Sequence, residues 1–291
     1  MTPQRLYLDL LRKSLVNELY LENEARFLYI FVALASGQKV DEDTLRHIAD
    51  RRPDLMKSMR AARADGRPWW KVGVRDANGN VQGLNLRNLC EFSHTMIGAA
   101  RMRNIEECLD VIREENIPGD FAETGVWRGG ATVFMRGYLA AYDMPDRVVW
   151  AADSFEGLPV PTHPEDAGLD YSAAVVPILA VSLEEVRDLF ARYGLLDERV
   201  KFLKGWFRDT LPTAPIASLA LLRLDGDLFE STRDALEALY DRVSPGGFII
   251  VDDYGDFLPC RRAVDEFRAA RGITAPLRNI DWTGEYWRKE G

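Results

Sequence analysis

Two apolar runs in the carboxyl-terminal half of the chain end abruptly in acids: Leu221-Leu222-Arg223-Leu224-Asp225-Gly226-Asp227 and Phe248-Ile249-Ile250-Val251-Asp252-Asp253. A strand buried on both faces of an open α/β sheet has this form, and ligands of such sheets sit beyond the carboxyl ends of the strands. The interval between the runs suits one strand-helix-strand unit, which returns the chain to the same sheet edge. Up to four carboxylates then face one crevice. Their mutual repulsion demands a cation.

The surrounding sequence extends the pattern. Asp120 to Thr124, Val148 to Asp153, Val200 to Lys204, Leu219 to Asp225 and Phe248 to Asp253 are predicted strands. Helical segments near Ala131 to Tyr142, Ser182 to Tyr193, Ser231 to Val243 and Cys260 to Ala270 alternate with most of them. Such alternation predicts an α/β fold, a Rossmann-like parallel sheet with helices on both faces. Residues 118–291 are expected to form this domain, and residues 1–117 a helical amino-terminal region with a lid or dimerisation role. There Leu8, Leu11, Leu15 and Leu19 recur at helical spacing. Further helices are expected over Glu22 to Ala35, Asp41 to Arg51, Pro53 to Ala64 and Phe92 to Asn116. Val72, Val74 and Val81 flank Asp76-Ala77-Asn78-Gly79, which suggests a hairpin with an Asn-Gly turn. Pro159 to Pro177, rich in proline and acids, reads as a long loop of the kind that serves as a lid.

Composition narrows the partners. A formal net charge of −9 argues against nucleic acid or an anionic membrane and suits a neutral or cationic ligand, although a solvated acidic surface has the same composition. Cys90, Cys108 and Cys260 are too far apart for a metal motif or a disulfide framework, which suits a reducing compartment. His47, His94 and His163 are the only histidines, so oxygen ligands are the expected metal chemistry rather than a zinc site. The apolar run Phe27 to Ala35 is too short to span a bilayer, and the amino-terminal residues do not read as a secretory signal. The expected location is cytoplasmic.

A second signature precedes the acidic strands. In Asp120-Phe121-Ala122-Glu123-Thr124-Gly125-Val126-Trp127-Arg128-Gly129-Gly130 the spacing is E-x-G-x-x-x-G-G, which departs from the dinucleotide fingerprint G-x-G-x-x-G. Glu123 would repel a pyrophosphate and suit the ammonium and sulfonium groups of S-adenosylmethionine. Asp153 ends the next strand, where an acid accepts ribose hydroxyls. Gly205-Trp206-Phe207 follows the third strand, where an aromatic wall for adenine would sit. Each element alone also reads as an ordinary turn or core residue. In this order they predict a nucleoside pocket with an acidic first turn.

Longer strings carry a family likeness: Thr95-Met96-Ile97-Gly98, the Glu123 to Gly130 turn, Asp153-Ser154-Phe155-Glu156-Gly157-Leu158-Pro159, Leu224-Asp225-Gly226-Asp227, Glu230-Ser231-Thr232, Ser244-Pro245-Gly246-Gly247, Asp252-Asp253-Tyr254 and Ile280-Asp281-Trp282-Thr283-Gly284. From about Glu91 onward the chain resembles the macrocin O-methyltransferase family, S-adenosylmethionine-dependent enzymes that methylate sugar hydroxyls of antibiotics. The resemblance implies a class I methyltransferase fold, a seven-stranded sheet whose last strand runs antiparallel. It implies a divalent ion, magnesium or alternatively manganese, on Asp225, Asp252 and Asp253, with Asp227 as general base. Cofactor contacts would map to Thr95, Met96, Glu123, Thr124, Gly125, Val126, Trp127, Asp153, Ser154, Phe155, Glu156, Gly157 and Trp206, with Ser182 as a further carry-over. Self-association, as a homodimer or higher homo-oligomer, is implied as well. Residues 23–90 depart from the family's pattern, which leaves the acceptor open.

The chemistry explains the residue types. A sugar hydroxyl has a pKa near that of water, about 15.7, so it is a poor nucleophile at neutral pH. A hard dication on carboxylates chelates adjacent hydroxyls and lowers that pKa. Asp227 lies two residues beyond Asp225, so on an extended segment both would point to one side, one for the metal and one for the proton. A catechol-like phenol is an alternative acceptor, since the same chelation serves it. A non-catalytic cofactor-binding scaffold is the reading from another class, and four acids in one crevice argue against it. His94 and His163 read as structural residues or as a base and a substrate contact. Trp69-Trp70 reads as a packing or dimer contact or as a sugar-stacking wall.

Overall fold

The computed structural model describes residues 1–66, 71–75, 81–85 and 92–291. They form two compact units, one of Leu10–Ala99 and one of Met1–Asp9 with Ala100–Gly291. In the smaller unit, helices Leu21–Ala35 and Pro53–Asp65 pack through Leu21, Ala25, Leu28, Met56 and Met59, with Ile48 completing the cluster. Buried Glu24 is paired with Arg63 at 2.5 Å and with Asn17 at 2.6 Å. Strands β1 (Lys71–Arg75) and β2 (Val81–Asn85) pair antiparallel, from Lys71 opposite Asn85 to Arg75 opposite Val81. The Asn-Gly turn, Trp69-Trp70 and Cys90 lie outside the described residues.

The larger unit is built on β3 (Asp120–Thr124), β4 (Val149–Asp153), β5 (Val200–Lys204), β6 (Leu219–Leu224), β7 (Val243–Val251), β8 (Arg278–Asn279) and β9 (Glu285–Arg288). The sheet order is β5-β4-β3-β6-β7-β9-β8. The first five strands run parallel, whereas β9, the last in sequence, pairs antiparallel with both β7 and β8. Every residue of β6 is buried, as a strand covered on both faces requires. Leu219, Leu222, Ile249, Val251 and Trp287 meet Ala235, Leu236 and Leu239 of helix Phe229–Leu239 in the main core. Each fully buried aliphatic side chain there contributes about 1.5–3 kcal/mol. The strand order reverses between β3 and β6, and a crevice for ligands opens at such a switch point.

Several boundaries differ from expectation for local reasons. The segment from Asp41 to Arg51 is two helices, Glu42–Arg46 and Ile48–Arg51, because His47 leaves helical geometry at φ −118°, ψ 42°. The first helix stops at Leu15, and Leu19 beyond it is 43% exposed. Helix Gly98–Glu114 is shorter than the expected Phe92 to Asn116. β7 starts at Val243 because Ser244 to Gly247 stays within the strand, with a register shift against β6. Among the described residues no helix is long and apolar enough to cross a membrane.

Candidate active site at the β3–β6 switch point

The ends of β3 and β6 touch through their backbones. Asp225 N–H donates to the Thr124 carbonyl at 2.8 Å, while on the other side Gly125 N–H ties β3 to β4 through the Ala152 carbonyl at 2.9 Å. Gly125 has φ +88°, and a Cβ built on it would lie 1.6 Å from the Asp225 carbonyl oxygen. Only glycine fits, on both counts. The cofactor signature and the first acidic strand are therefore joined at a contact that excludes any side chain.

The candidate metal ligands converge. One oxygen from each of Asp225, Asp252 and Asp253 lies within 4.8 Å of the other two. Asp227 joins them, its backbone N–H donating to Asp253 Oδ2 at 3.2 Å. The Asp225 side chain keeps 28% of its surface exposed, so a ligand can reach the cluster from that side. Behind it stands Arg223, whose side chain is 1% exposed. Its guanidinium bonds Glu123 at 2.5 Å and Asp225 at 2.9 Å, and it also pairs with Asp252. Arg101 pairs with the other oxygen of Asp252 and with Asp281 at 3.1 Å. Asp281 in turn accepts backbone N–H groups from Thr283 at 3.0 Å and Gly284 at 2.8 Å. Glu123, Asp225, Asp227, Asp252, Asp253 and Asp281 thus outnumber Arg101 and Arg223, and the cluster is short of positive charge.

That shortage shows in the acids themselves. Burial raises Asp227 to about 8, with repulsion from Asp225 and Asp252 adding to it. Burial and the Asp252 charge raise Asp225 to about 6 against the pull of Arg223. Burial raises Glu123 to about 7 despite the same arginine. Asp253 is pushed well above the usual range by burial and then by Asp227. Carboxylates raised in the folded state bind protons that the unfolded chain, with aspartates near 3.8, has already lost. Their contribution to stability is complete below that unfolded value and disappears as pH rises through about 6 and about 8. In a chelator, the thermal midpoint is therefore expected to fall between pH 5.5 and 8.5, and magnesium is expected to restore it at the upper end. A midpoint indifferent to pH and to magnesium would refute this account of the cluster.

The candidate cofactor residues form a compact loop system beside the acids. Asp153 Oδ2 accepts from Val126 N–H at 2.6 Å, and Oδ1 from Phe155 N–H at 2.7 Å, which ties the two loops together. Burial raises Asp153, opposed by those backbone donors. Trp127 N–H and, at 3.4 Å, Ser154 Oγ also donate to it, so its own loops hold the carboxylate at the end of β4. Ser154 Oγ donates to the Gly157 carbonyl at 2.6 Å and accepts from Glu156 N–H at 3.0 Å, closing the turn. Trp127 donates its indole N–H to the Ile178 carbonyl at 3.0 Å, with the Arg128 guanidinium 4.2 Å from its ring. Trp206 is partly exposed at the start of helix Phe207–Thr210, a short helix that sequence reasoning passed over.

Other candidates have local work. Glu123 is 2% exposed, and its charge is answered from inside the protein by Arg223. Glu156 is exposed and pairs with Lys204 at 3.6 Å. Ser182 makes a capping box with Glu185 at the start of helix Leu183–Arg192. Thr95 and Met96 belong to the smaller unit, where the Thr95 carbonyl accepts from Ser93 Oγ at 2.9 Å. His94, in the same unit, donates its backbone N–H to the Leu15 carbonyl at 2.7 Å. His163 Nδ1 accepts from Glu165 N–H at 3.2 Å, and its ring stacks on Phe229 at 4.5 Å. Sequence reasoning missed Arg223, Arg101 and Asp281 as parts of the site. An arginine inside an otherwise apolar strand was the available signal for the first.

The family model described as Macrocin-O-methyltransferase (TylF) matches residues 4–289. Demethyldecarbamoylnovobiocin O-methyltransferase of Streptomyces niveus is 54% identical over 200 residues, which cover 68% of this chain and 76% of that protein. The 8-demethyl-8-(2,3-dimethoxy-alpha-L-rhamnosyl)-tetracenomycin-C 4'-O-methyltransferase of Streptomyces olivaceus is 48% identical over 222 residues, 74% of this chain and 82% of that one. The solved structure of the O-methyltransferase NovP superposes with a TM-score of 0.75 at 41% identity, covering 99% of this chain and 100% of its own.

Proposed function

Because this chain belongs to the macrocin-O-methyltransferase family and is an O-methyltransferase, we propose that it methylates a sugar hydroxyl of a natural-product glycoside, using S-adenosylmethionine and a divalent ion. The fold implies the methyl donor. The observation that carries the finer reading is the convergence of Asp225, Asp252 and Asp253 in a cluster short of positive charge. Three carboxylates with neither sulfur nor imidazole among them suit a hard dication such as magnesium or manganese. Both oxygens of Asp252 already accept from guanidiniums, yet each carboxylate oxygen has a further lone pair to offer. When bound, the ion would supply Lewis acidity to neighbouring hydroxyls of the acceptor.

The chain's own residues do the rest. Gly125 keeps the donor loop against the end of β6, and Asp153 at the end of β4 would orient ribose hydroxyls. Asp225, Asp252 and Asp253 fix where the acceptor hydroxyls sit, which brings one of them into line with the transferable methyl group. Asp227 takes the proton from that hydroxyl as the new carbon–oxygen bond forms and the donor's carbon–sulfur bond breaks, leaving S-adenosylhomocysteine. Burial and its acidic neighbours raise the proton affinity of Asp227, which suits a carboxylate that must take a proton. The rhamnosyl acceptor named for the Streptomyces olivaceus relative motivates the choice of a sugar.

The test is a calorimetric titration with S-adenosylhomocysteine, followed by magnesium and methyl-transfer assays on a panel of deoxysugar glycosides and catechols. Cofactor binding, turnover of glycosides and loss of turnover in EDTA with recovery in magnesium are the expected results. Turnover undiminished in EDTA would remove the metal, preference for catechols would change the acceptor, and failure to bind S-adenosylhomocysteine would overturn the whole reading.

A further inference from the structure

The loop between β4 and helix Leu183–Arg192 is fastened to the larger unit at several points. Thr162 Oγ1 donates to Glu230 at 2.8 Å, and Glu165 pairs with Arg262 at 2.6 Å, both in exposed positions. Asp166 is different. It is 0% exposed, and its two carboxylate oxygens accept from two backbone N–H groups, Phe229 at 2.7 Å and Glu230 at 3.1 Å. These are the first N–H groups of helix Phe229–Leu239 and have no partner within the helix. Leu228, the residue in the capping position, has no side-chain acceptor to give them. The cap comes instead from Asp166, 63 residues before Phe229, and its charge also suits the positive end of the helix dipole.

The capped helix begins two residues after Asp227. Asp227 has φ +54°, in the left-handed region where aspartate is over-represented, so the chain turns after β6 instead of continuing as the extended segment expected to point Asp225 and Asp227 to one side. On one side it is held by its backbone N–H bond to Asp253. On the other, the turn is closed by Leu228 N–H on the Gly226 carbonyl and runs straight into the residues that Asp166 caps.

We propose that Asp166 is a positioning residue for methyl transfer: by capping Phe229 and Glu230 it holds the turn that aims Asp227. The proposal rests on the reading of Asp227 as the general base. Asp166 is itself fully buried and acts through that turn.

The experiment is a double-mutant cycle in the full-length enzyme with S-adenosylmethionine, magnesium and whichever deoxysugar glycoside of the panel is turned over fastest. Asp166→Ala is expected to lower kcat roughly 10- to 100-fold, the scale of a misplaced catalytic group. Acceptor KM and S-adenosylhomocysteine affinity should stay within about twofold, since neither ground-state contact is altered. Asp166→Asn, which keeps an acceptor oxygen, should recover part of the loss. In an Asp227→Asn background, Asp166→Ala should cost nothing further, because the group it positions is gone.

Unchanged kcat in Asp166→Ala overturns the proposal. So does a loss confined to KM and cofactor affinity, which marks loop closure alone, or the same fractional loss in the Asp227→Asn background. Should Asp166→Ala lose its cooperative thermal transition, Asp166→Asn carries the cycle, with a smaller kcat loss that again vanishes beside Asp227→Asn. If Asp227→Asn alone keeps full kcat, the base assignment itself fails. If only the Asp166 arm is silent, the base assignment stands and this proposal falls.

Discussion

Asp227→Asn is expected to lower kcat by roughly 10²- to 10⁴-fold, the usual contribution of a positioned general base. The amide matches the carboxylate in shape and cannot take the hydroxyl proton. The backbone N–H bond of residue 227 to Asp253 does not involve the substituted group and should persist. S-adenosylhomocysteine affinity should therefore stay near that of the parent enzyme, and the loss should appear in kcat rather than in KM. Steady-state kinetics at saturating magnesium, with product followed by mass spectrometry, give the answer. A variant that keeps more than about half of kcat would exclude Asp227 as the base, since a base's contribution is at least ~10².

Arg223→Met is expected to destabilise the protein by about 3–5 kcal/mol, because it removes the cation from a buried pair and leaves its partners uncompensated. Methionine fills a similar volume, so a cavity is not the cause. The partners here are Glu123, Asp225 and Asp252, and the arginine side chain is 1% exposed. Lysine is no substitute, since a single ammonium cannot reproduce the planar fork that reaches three carboxylates. Urea denaturation at neutral pH measures the change. If stranded charge is the cause, lowering the pH towards 5.5 should return part of the stability as the acids take up protons. A loss below about 1 kcal/mol, the size of an exposed ion pair, would contradict the reading.

The parts of this molecule legible in its sequence are those where chemistry changes sharply over a few residues. β3, β5 and β6 stand out because apolar runs stop at acids or glycines, and the Asp225, Asp252 and Asp253 cluster follows from parallel strands ending on one edge. Ser182 with Glu185 is a local helix cap that spacing alone could give. Arg223 was harder to read. Its partners lie at positions 123 and 252, so its burial depends on β3, β6 and β7 being neighbours. Asp166 looked like one more acid in a polar loop, and only the folded chain brings it to Phe229. Ser244 to Gly247 carries turn residues and has no partner in the β6 register, yet backbone bonds of Gly246 and Gly247 to Lys289 beyond β9 keep it in the strand. Tertiary context overrode local preference there.

The junction where Gly125 meets the Asp225 carbonyl bears on how such an enzyme can be re-engineered. A library aimed at a new acceptor has room to vary the loop surface and the 28%-exposed rim beside Asp225. Position 125 offers no such latitude, since a single added carbon would sit 1.6 Å from a backbone oxygen and push β3 away from β6. Directed evolution of this scaffold can therefore trade specificity at its mouth, while the hinge between donor and acceptor chemistry stays closed to exploration.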